Sequence, residues 1–335
     1  MTMISNKPFL SIAGGVVAVV LSGVAAAQTS GVPSGSSGTP TSSSSSPSGS
    51  LSSFEHEAVA TQLISTTTLN QMLAISNAIS FRAGGVFQVP PGARADSGQR
   101  NGMAAGGAAQ MWNAWGSISG DTFKYTPIND AKLRTTNAVL GADYALKPTV
   151  TVGASVAFDR TTGSLFNTTT TGYTIAPYAG WQINKTWALD GIIGWGKGDI
   201  DTGAGSVKPD RFFYGSNLSY TNWLGNLQLS AKGSYLYGEE KVGSAKNKLD
   251  QWRIGGRVGY WMDGILPYVG IAHTSDGKVD NRGPNDIGKT AWVGSLGVDF
   301  ISLKNNLTGG IVYTGEGRRK NSKHDSLMAN INYRF

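Results

Sequence analysis

A period of two dominates this chain from Gln110 to its C-terminus, and few folds accept that pattern over such a length. Val150, Val152, Ala154, Val156 and Phe158 alternate with Thr149, Thr151, Gly153 and Ser155. Trp187, Leu189, Gly191, Ile193 and Trp195 alternate with Ala188, Asp190 and Gly194. Leu227, Leu229, Ala231 and Tyr235 stand against Gln228, Ser230, Lys232 and Ser234 in the same way. So do Trp252, Ile254, Val258, Tyr260 and Met262 against Gln251, Arg253 and Arg257. Successive side chains of a strand point to opposite faces, so one face is apolar and aromatic and the other is Gly, Ser and charged. The segments run to roughly 10–15 residues, longer than the ~5–6 of soluble sheets and suited to tilted strands that cross a membrane.

Twelve such segments are readable, near 110–120, 132–146, 149–160, 168–183, 186–199, 209–223, 226–239, 248–262, 265–275, 288–303, 306–318 and 323–335. Tight turns at Lys147-Pro148, Asn184-Lys185, Leu224-Gly225, Asp263-Gly264 and Lys304-Asn305 alternate with longer polar connections such as Asp276 to Ile287. An outer-membrane barrel has an even strand number, short turns at one end and long loops at the other. Twelve strands joined this way need five short turns and six long connections, which is the number found. The fold class expected is therefore all-β and transmembrane, a 12-stranded antiparallel outer-membrane β-barrel.

Composition sharpens this reading at three points. Forty-six glycines are a large excess, and on an inward face glycine clears space for an occupant. The absence of cysteine excludes thiolate metal sites, Cys nucleophiles and disulfides. The net charge of +7 is dispersed, with no recognition helix, so nucleic acid is not an expected partner. Trp112, Trp115, Trp187, Trp195, Trp223, Trp252 and Tyr260 fall near predicted strand ends, where aromatic girdles belong.

The region ahead of the strands divides into four stretches. Lys7 and the apolar run Phe9 to Ala27, ending in Ala25-Ala26-Ala27, predict a signal peptide over 1–27, cut between Ala27 and Gln28. Residues 28–51 are low in complexity: eleven of the 23 from 28 to 50 are Ser and none is charged, which predicts a disordered segment. Residues 52–84 predict a pore or linker helix, with Ser52 and Glu55 as a capping box and Gly84-Gly85 as its stop. Leu69, Met72, Leu73, Ser76 and Ile79 form its stripe, Asn70, Gln71 and Asn77 keep the other faces polar, and Thr66-Thr67-Thr68 is a β-branched weak point. About 30 helical residues reach ~45 Å, enough to thread a membrane-deep pore. Residues 85–106, with Pro90-Pro91, predict a connector to a barrel over 107–335.

Residues 107–335 resemble the autotransporter β-domain of type V secretion. The resemblance rests on Met111-Trp112-Asn113-Ala114-Trp115-Gly116, LGADYALKPTVTVGASVAF (140–158), APYAGWQI (176–183), LPYVGIAH (266–273) and LMANINYRF (327–335). It implies a helix in the barrel lumen that links to an N-terminal passenger carried to the cell surface. It also implies that Leu327, Ala329, Ile331, Tyr333 and Phe335 form an assembly signal read by the barrel-assembly machinery. The remaining implied setting is periplasmic chaperones, outer-membrane lipid, a monomeric state and the outer membrane of a Gram-negative bacterium. The sequence departs from the family in its passenger, which is essentially missing: a short Ser-rich stretch precedes the helix, without β-helix repeats. The function expected is thus a translocator barrel that anchors and exposes its own short N-terminal segment. The alternative is a porin-like or structural barrel plugged by its helix.

The charged residues of the alternation divide by face. Asp143, Asp190, Lys232, Arg253, Arg257 and Arg334 are expected in the lumen, because Lys or Arg facing lipid at the midplane costs ~2–4 kcal/mol. The family resemblance also implies that, if the passenger were cut inside the lumen as in some members, Asp143 and Asp190, with Asn70 and Asn77, would be the groups recruited. The one catalytic-looking constellation is His273-Thr274-Ser275-Asp276-Gly277, in which His and Ser share a strand face as a base and its nucleophile do. It resembles the H-x-S-x-G of outer-membrane phospholipase A, itself a twelve-stranded barrel, with Asn281 or Asn285 to orient the imidazole. A phospholipase is the third reading, and no residue is assigned a catalytic role. Asp276, Asp280 and Asp286 match no calcium-loop spacing, and neither a metal nor a cofactor is expected.

Overall fold

The computed structural model describes residues 72–79, 112–126, 132–164, 168–201, 206–242, 245–277, 288–302 and 305–335. Residues 72–79 form a helix, α1. The strands are β1 (Trp112–Tyr125), β2 (Lys132–Lys147), β3 (Val150–Gly163), β4 (Thr168–Gln182), β5 (Trp187–Asp201), β6 (Ser206–Val207), β7 (Asp210–Leu224), β8 (Leu227–Val242), β9 (Ala245–Tyr260), β10 (Ile265–Asp276), β11 (Thr290–Ser302), β12 (Leu307–Gly317) and β13 (Ser322–Arg334). The two-residue β6 only extends the edge of β5, through Ile200↔Val207 and Asp201↔Ser206. The other twelve form an antiparallel ring, each paired with its neighbours in sequence. The ring closes where β1 meets β13, from Asn113↔Arg334 to Tyr125↔Ser322, and the Phe335 N–H donates to the Trp112 carbonyl at 3.1 Å. Closure leaves no unpaired edge among the twelve. The signal peptide, the Ser-rich segment, most of the 52–84 helix and the 85–106 connector lie outside the described residues.

The tight turns share one end of the barrel with the start of β1 and the end of β13. There Asp263 and Gly264, with φ of 44° and 92°, supply the two left-handed positions of a two-residue hairpin. Gly225 (φ 61°) serves the β7–β8 turn in the same way. One connection at the opposite, loop end differs from the sequence expectation. The gap between segments 226–239 and 248–262 reads as long, yet β8 and β9 stay paired out to Val242↔Ala245. The apolar alternation stops at Tyr237, but the ladder continues through Glu239↔Lys248 and Glu240↔Asn247, with Lys246 ion-paired to Glu239 at 2.7 Å. Hydrophobicity records the extent of the membrane, whereas backbone pairing carries on past it.

The alternation places polar groups inside and apolar groups outside, the reverse of a soluble protein. Ile254, Leu296 and Ile271 are 69%, 62% and 60% exposed, while Asn137 and Asn217 are each 1% exposed. Such a surface is stable only against lipid. Among the described residues no helix is long and apolar enough to cross a membrane; the strands do so. Aromatic pairs mark both rims of the outer face. Trp112–Tyr144 and Trp187–Tyr220, each with centroids 5.0 Å apart, lie toward the tight turns. Trp195–Phe212 and His273–Trp292 lie toward the loops. Two tryptophans expected in the girdles belong to the interior instead. Trp115 is buried, and Trp223 pairs with the buried Gln228 and meets Trp261 edge-on at 6.3 Å. The reason is parity: Trp115 stands three residues from Trp112 and so takes the opposite face.

Candidate functional site

The lumen is the candidate site, and α1 lies in it. Met72, Ile75, Ala78 and Ile79 pack with Trp115, Val139, Ala157, Ala176, Tyr178, Ile192, Phe213 and Leu236, residues of β1 to β5, β7 and β8. Its Ala74 and Ser76 are buried too, and Leu73 and Asn77 are half-buried. The helix is therefore enclosed on nearly every side, rather than along the single stripe of the sequence reading. Ile75 and Ala78, both buried in this cluster, are members that reading omits.

Small residues on the wall admit the helix and the rings around it. A Cβ on Gly238 would stand under 3.0 Å from the Met72 side chain. Gly141 accommodates Trp115, Gly153 accommodates Tyr178, and Gly194 accommodates Phe213 in the same manner. Each of these glycines sits on the inward face, opposite or beside the aromatic it makes room for.

The orientation of α1 follows from two contacts. Asn217 donates to the Ser76 hydroxyl at 3.4 Å, and Met72 lies over Gly238. Asn217 pairs with Ser234, and Gly238 is four residues further along β8 toward the loops, about 13 Å at strand spacing. The N-terminal end of α1 thus faces the loop end of the barrel. Its C-terminal end faces the tight turns, where β1 begins.

Polar groups in this half of the lumen form several hydrogen-bonded sets. Asn113 donates to Asp143 at 2.8 Å, Tyr178 donates to Asp143 at 2.9 Å, and Trp115 donates to the Tyr178 hydroxyl at 2.6 Å. Arg334 reaches Asn113 at 3.3 Å, and Asp190 accepts from Asn217 at 2.6 Å. Nearer the loops, Arg211 bridges Asp159 at 2.9 Å and Glu240 at 3.3 Å, with all three side chains almost wholly buried. It crosses the inner wall over Gly172 and Gly198 to do so. Tyr178, Asn113, Asn217 and the Arg211 set were not singled out from the sequence. Their inward parity was available there, whereas their pairing across strands was not.

The other candidates lie as follows. Lys232 and Arg253 are half-buried on the inward face of β8 and β9. Arg257 bridges Asp299 at 3.0 Å, contacts Gln228 at 3.1 Å and covers the Tyr268 ring at 4.5 Å. Leu327, Ala329, Ile331 and Tyr333 share the outward face of β13, and Tyr333 stacks on Phe335 at 6.1 Å. His273 and Ser275 face outward beside Trp292 and Thr290. Asp276 faces inward, accepts from Gln251 at 2.8 Å and pairs with Arg319, which also pairs with Glu316. Burial opposes the charge on Arg319, but Glu316 and Asp276 hold its pKa above the ordinary value. Asn70, Asp280, Asn281, Asn285 and Asp286, like Ala27 and Gln28, fall outside the described residues.

A closed ring with an apolar outer belt, a polar inner wall and a helix inside defines a transmembrane β-barrel occupied by its own polypeptide. The sequence model of the Autotransporter beta-domain matches residues 114–314, and the chain belongs to that family. Among solved structures it is similar to the translocator domain of autotransporter NalP from Neisseria meningitidis. The TM-score is 0.58 and the identity 15%, over 84% of this chain and all of that one. The beta domain of the Bordetella autotransporter BrkA aligns with TM-score 0.55 and 14% identity, over 67% of this chain and 99% of the other. No curated protein matches. Membership of the family implies the outer membrane of a Gram-negative bacterium.

Proposed function

We propose that this barrel anchors its own N-terminal segment in the outer membrane and exposes it on the cell surface. The observation that carries this reading is the direction of α1. The N-terminal end of α1, at Met72, faces the loops, and its C-terminal end, at Ile79, faces the tight turns, where β1 begins. In outer-membrane barrels the long loops are extracellular and the short turns periplasmic. In this reading the outward face of β13, ending in Phe335, is the element the barrel-assembly machinery recognises, after periplasmic chaperones deliver the polypeptide. The barrel then works as a monomer in lipid, and Asp143, Asp190 and Arg334 hold the inner wall in shape around the helix.

The test places an epitope tag at Gly31 and treats intact cells with protease. Loss of the tag, with the barrel still migrating as a folded, heat-modifiable species, is the expected result. A tag that survives in cells with a correctly inserted barrel overturns the reading and favours a plugged, porin-like barrel.

A further inference from the structure

The outer face of the barrel is uneven toward its loop end. Over β4 to β11 the apolar belt finishes in aromatic side chains, with Tyr173, Trp195, Tyr214, Trp252 and Trp292 all exposed. β1 and β2 break this rim. Their only exposed large apolar side chains are Trp112 and Leu146, both at the tight-turn end. Toward the loops their outer face is cationic instead. Lys124 is the last outward residue of β1, and Lys132 opens β2 with Arg134 following on the same face. Lys323 is the first outward residue of β13. On β3 the exposed Arg160 joins them, two residues beyond Phe158.

The register makes this arrangement unfavourable by itself. Lys124 stands directly opposite Lys132 on β2 and directly opposite Lys323 on β13. The three lysines form one line across adjacent strands, about 5 Å from strand to strand. Like charges directly opposite one another destabilise a sheet. Among the described residues, none of the five cations has a carboxylate within salt-bridge distance. One acid, Asp325, shares the face; it stands opposite Thr122 and accepts from the Tyr313 hydroxyl at 2.7 Å. The β1–β2 connection carries one more in its sequence, Asp130. Beyond β4 the patch ends at Asp199 and Asp201 of β5, opposite Thr171 and Thr169.

The position of the patch selects the counter-ion. These side chains leave the lipid-facing side of the wall, so an anion that reaches them shares that side with acyl chains. Immediately toward the membrane the wall is recessed. A Cβ on Gly120 would meet nothing within 4 Å, and Ile118 is flanked by Ala138 and Ala329. Arg134 stands between the hydroxyls of Thr122 and Thr162, which supply neutral donors beside the cations. Basic clusters at a membrane surface attract anionic headgroups. The long loops of such barrels face the cell exterior, which makes this the outer leaflet.

We infer that this rim patch binds the phosphorylated headgroup of an outer-leaflet lipid, with Lys124, Lys132, Arg134 and Lys323 on the phosphate and acyl chains against the recessed wall of β1. The inference concerns the outer surface, goes beyond exposure of the N-terminal segment and stands if that segment proves to be protected.

The experiment uses the folded full-length protein in non-ionic detergent. The probe is lipid A, a diphosphorylated acyl glucosamine disaccharide, titrated beside its phosphate-free form while bound lipid is counted by native mass spectrometry. Wild type should bind the phosphorylated lipid saturably and the phosphate-free lipid far more weakly. The triple variant Lys124→Gln, Lys132→Gln, Lys323→Gln should weaken binding by about tenfold or more. Lys197→Gln, on the outer face of β5, should leave it unchanged. Equal binding by the triple variant, or equal affinity for the phosphate-free lipid, overturns the proposal. So does displacement by inorganic phosphate at the concentration of the lipid, which would make the patch a site for the free ion. A second measurement follows thermal unfolding without added lipid. There the triple variant should unfold at the wild-type midpoint or above it, because the repulsion between facing lysines is gone. A lower midpoint, or failure to fold, would mean that the lysines support the barrel itself, and would overturn their assignment to a lipid. If the triple variant does not fold, Lys124→Gln, at the centre of the line, replaces it in the titration and should bind the lipid more weakly than wild type.

Discussion

At the level of single residues, the inner wall depends on glycines matched to rings and on buried charges matched to partners. Gly153→Leu drives a side chain into the space of the Tyr178 ring. It should destabilise the barrel by ~1–3 kcal/mol, read as a lower urea midpoint for unfolding from lipid vesicles. Tyr178→Phe keeps the ring but removes the hydroxyl between Trp115 and Asp143, and a loss of ~1–3 kcal/mol in the same assay is expected. Arg211→Ala strands Asp159 and Glu240 and should cost about 3–5 kcal/mol. If Arg211→Ala unfolds at the wild-type midpoint, the bridge contributes nothing to the fold. The face of each of these residues is legible in the alternation. That Tyr178 meets Asp143, thirty-five positions away, depends on the registers of β2 with β3 and β3 with β4, which no local pattern encodes.

At the level of elements, α1 and the wall are separable. The barrel owes its closure to strand pairing, including the β1–β13 seam, whereas the helix is held by apolar burial and the Asn217–Ser76 contact. Ile75→Asp puts a carboxylate into the apolar cluster around Phe213 and Leu236, where burial of an unpaired charge is strongly unfavourable. The expected outcome is a folded barrel whose helix no longer stays seated, detected as a large increase in single-channel conductance in planar bilayers. Conductance equal to wild type would mean that α1 does not obstruct the lumen. Helical propensity and the stripe of Met72, Ser76 and Ile79 are readable in the sequence. The burial of α1 on nearly all sides is not, because a helix cannot announce that its surroundings form a ring.

For the whole molecule, the governing quantity is the inverted polarity of the barrel. Leu296, in the middle of β11, faces outward, whereas its neighbour Ser295 faces the lumen. Leu296→Arg should destabilise the lipid-inserted state by about 2–4 kcal/mol, the depth-dependent cost of a cation at the midplane. Ser295→Arg, one residue away, should fold in lipid vesicles with a clearly smaller loss, since it points into the lumen rather than into lipid. Equal losses for the two would contradict the assignment of faces. The same polarity explains why a protein with so few charges needs no disulfide: the seam leaves no strand edge, and lipid covers the apolar belt.

The sequence by itself determined the number of long strands, the face of each side chain along them, the end at which the tight turns gather and the family to which the protein belongs. These are local properties: a period of two, a left-handed turn at Asp263-Gly264, a terminal Phe335. Only the tertiary structure decided that Gly141 and Gly153 receive Trp115 and Tyr178, and that β8 and β9 pair far beyond the apolar belt. It alone set the direction of α1. Those outcomes depend on how twelve strands stagger to close a ring around one helix, and that geometry belongs to the closed ring rather than to any segment of it.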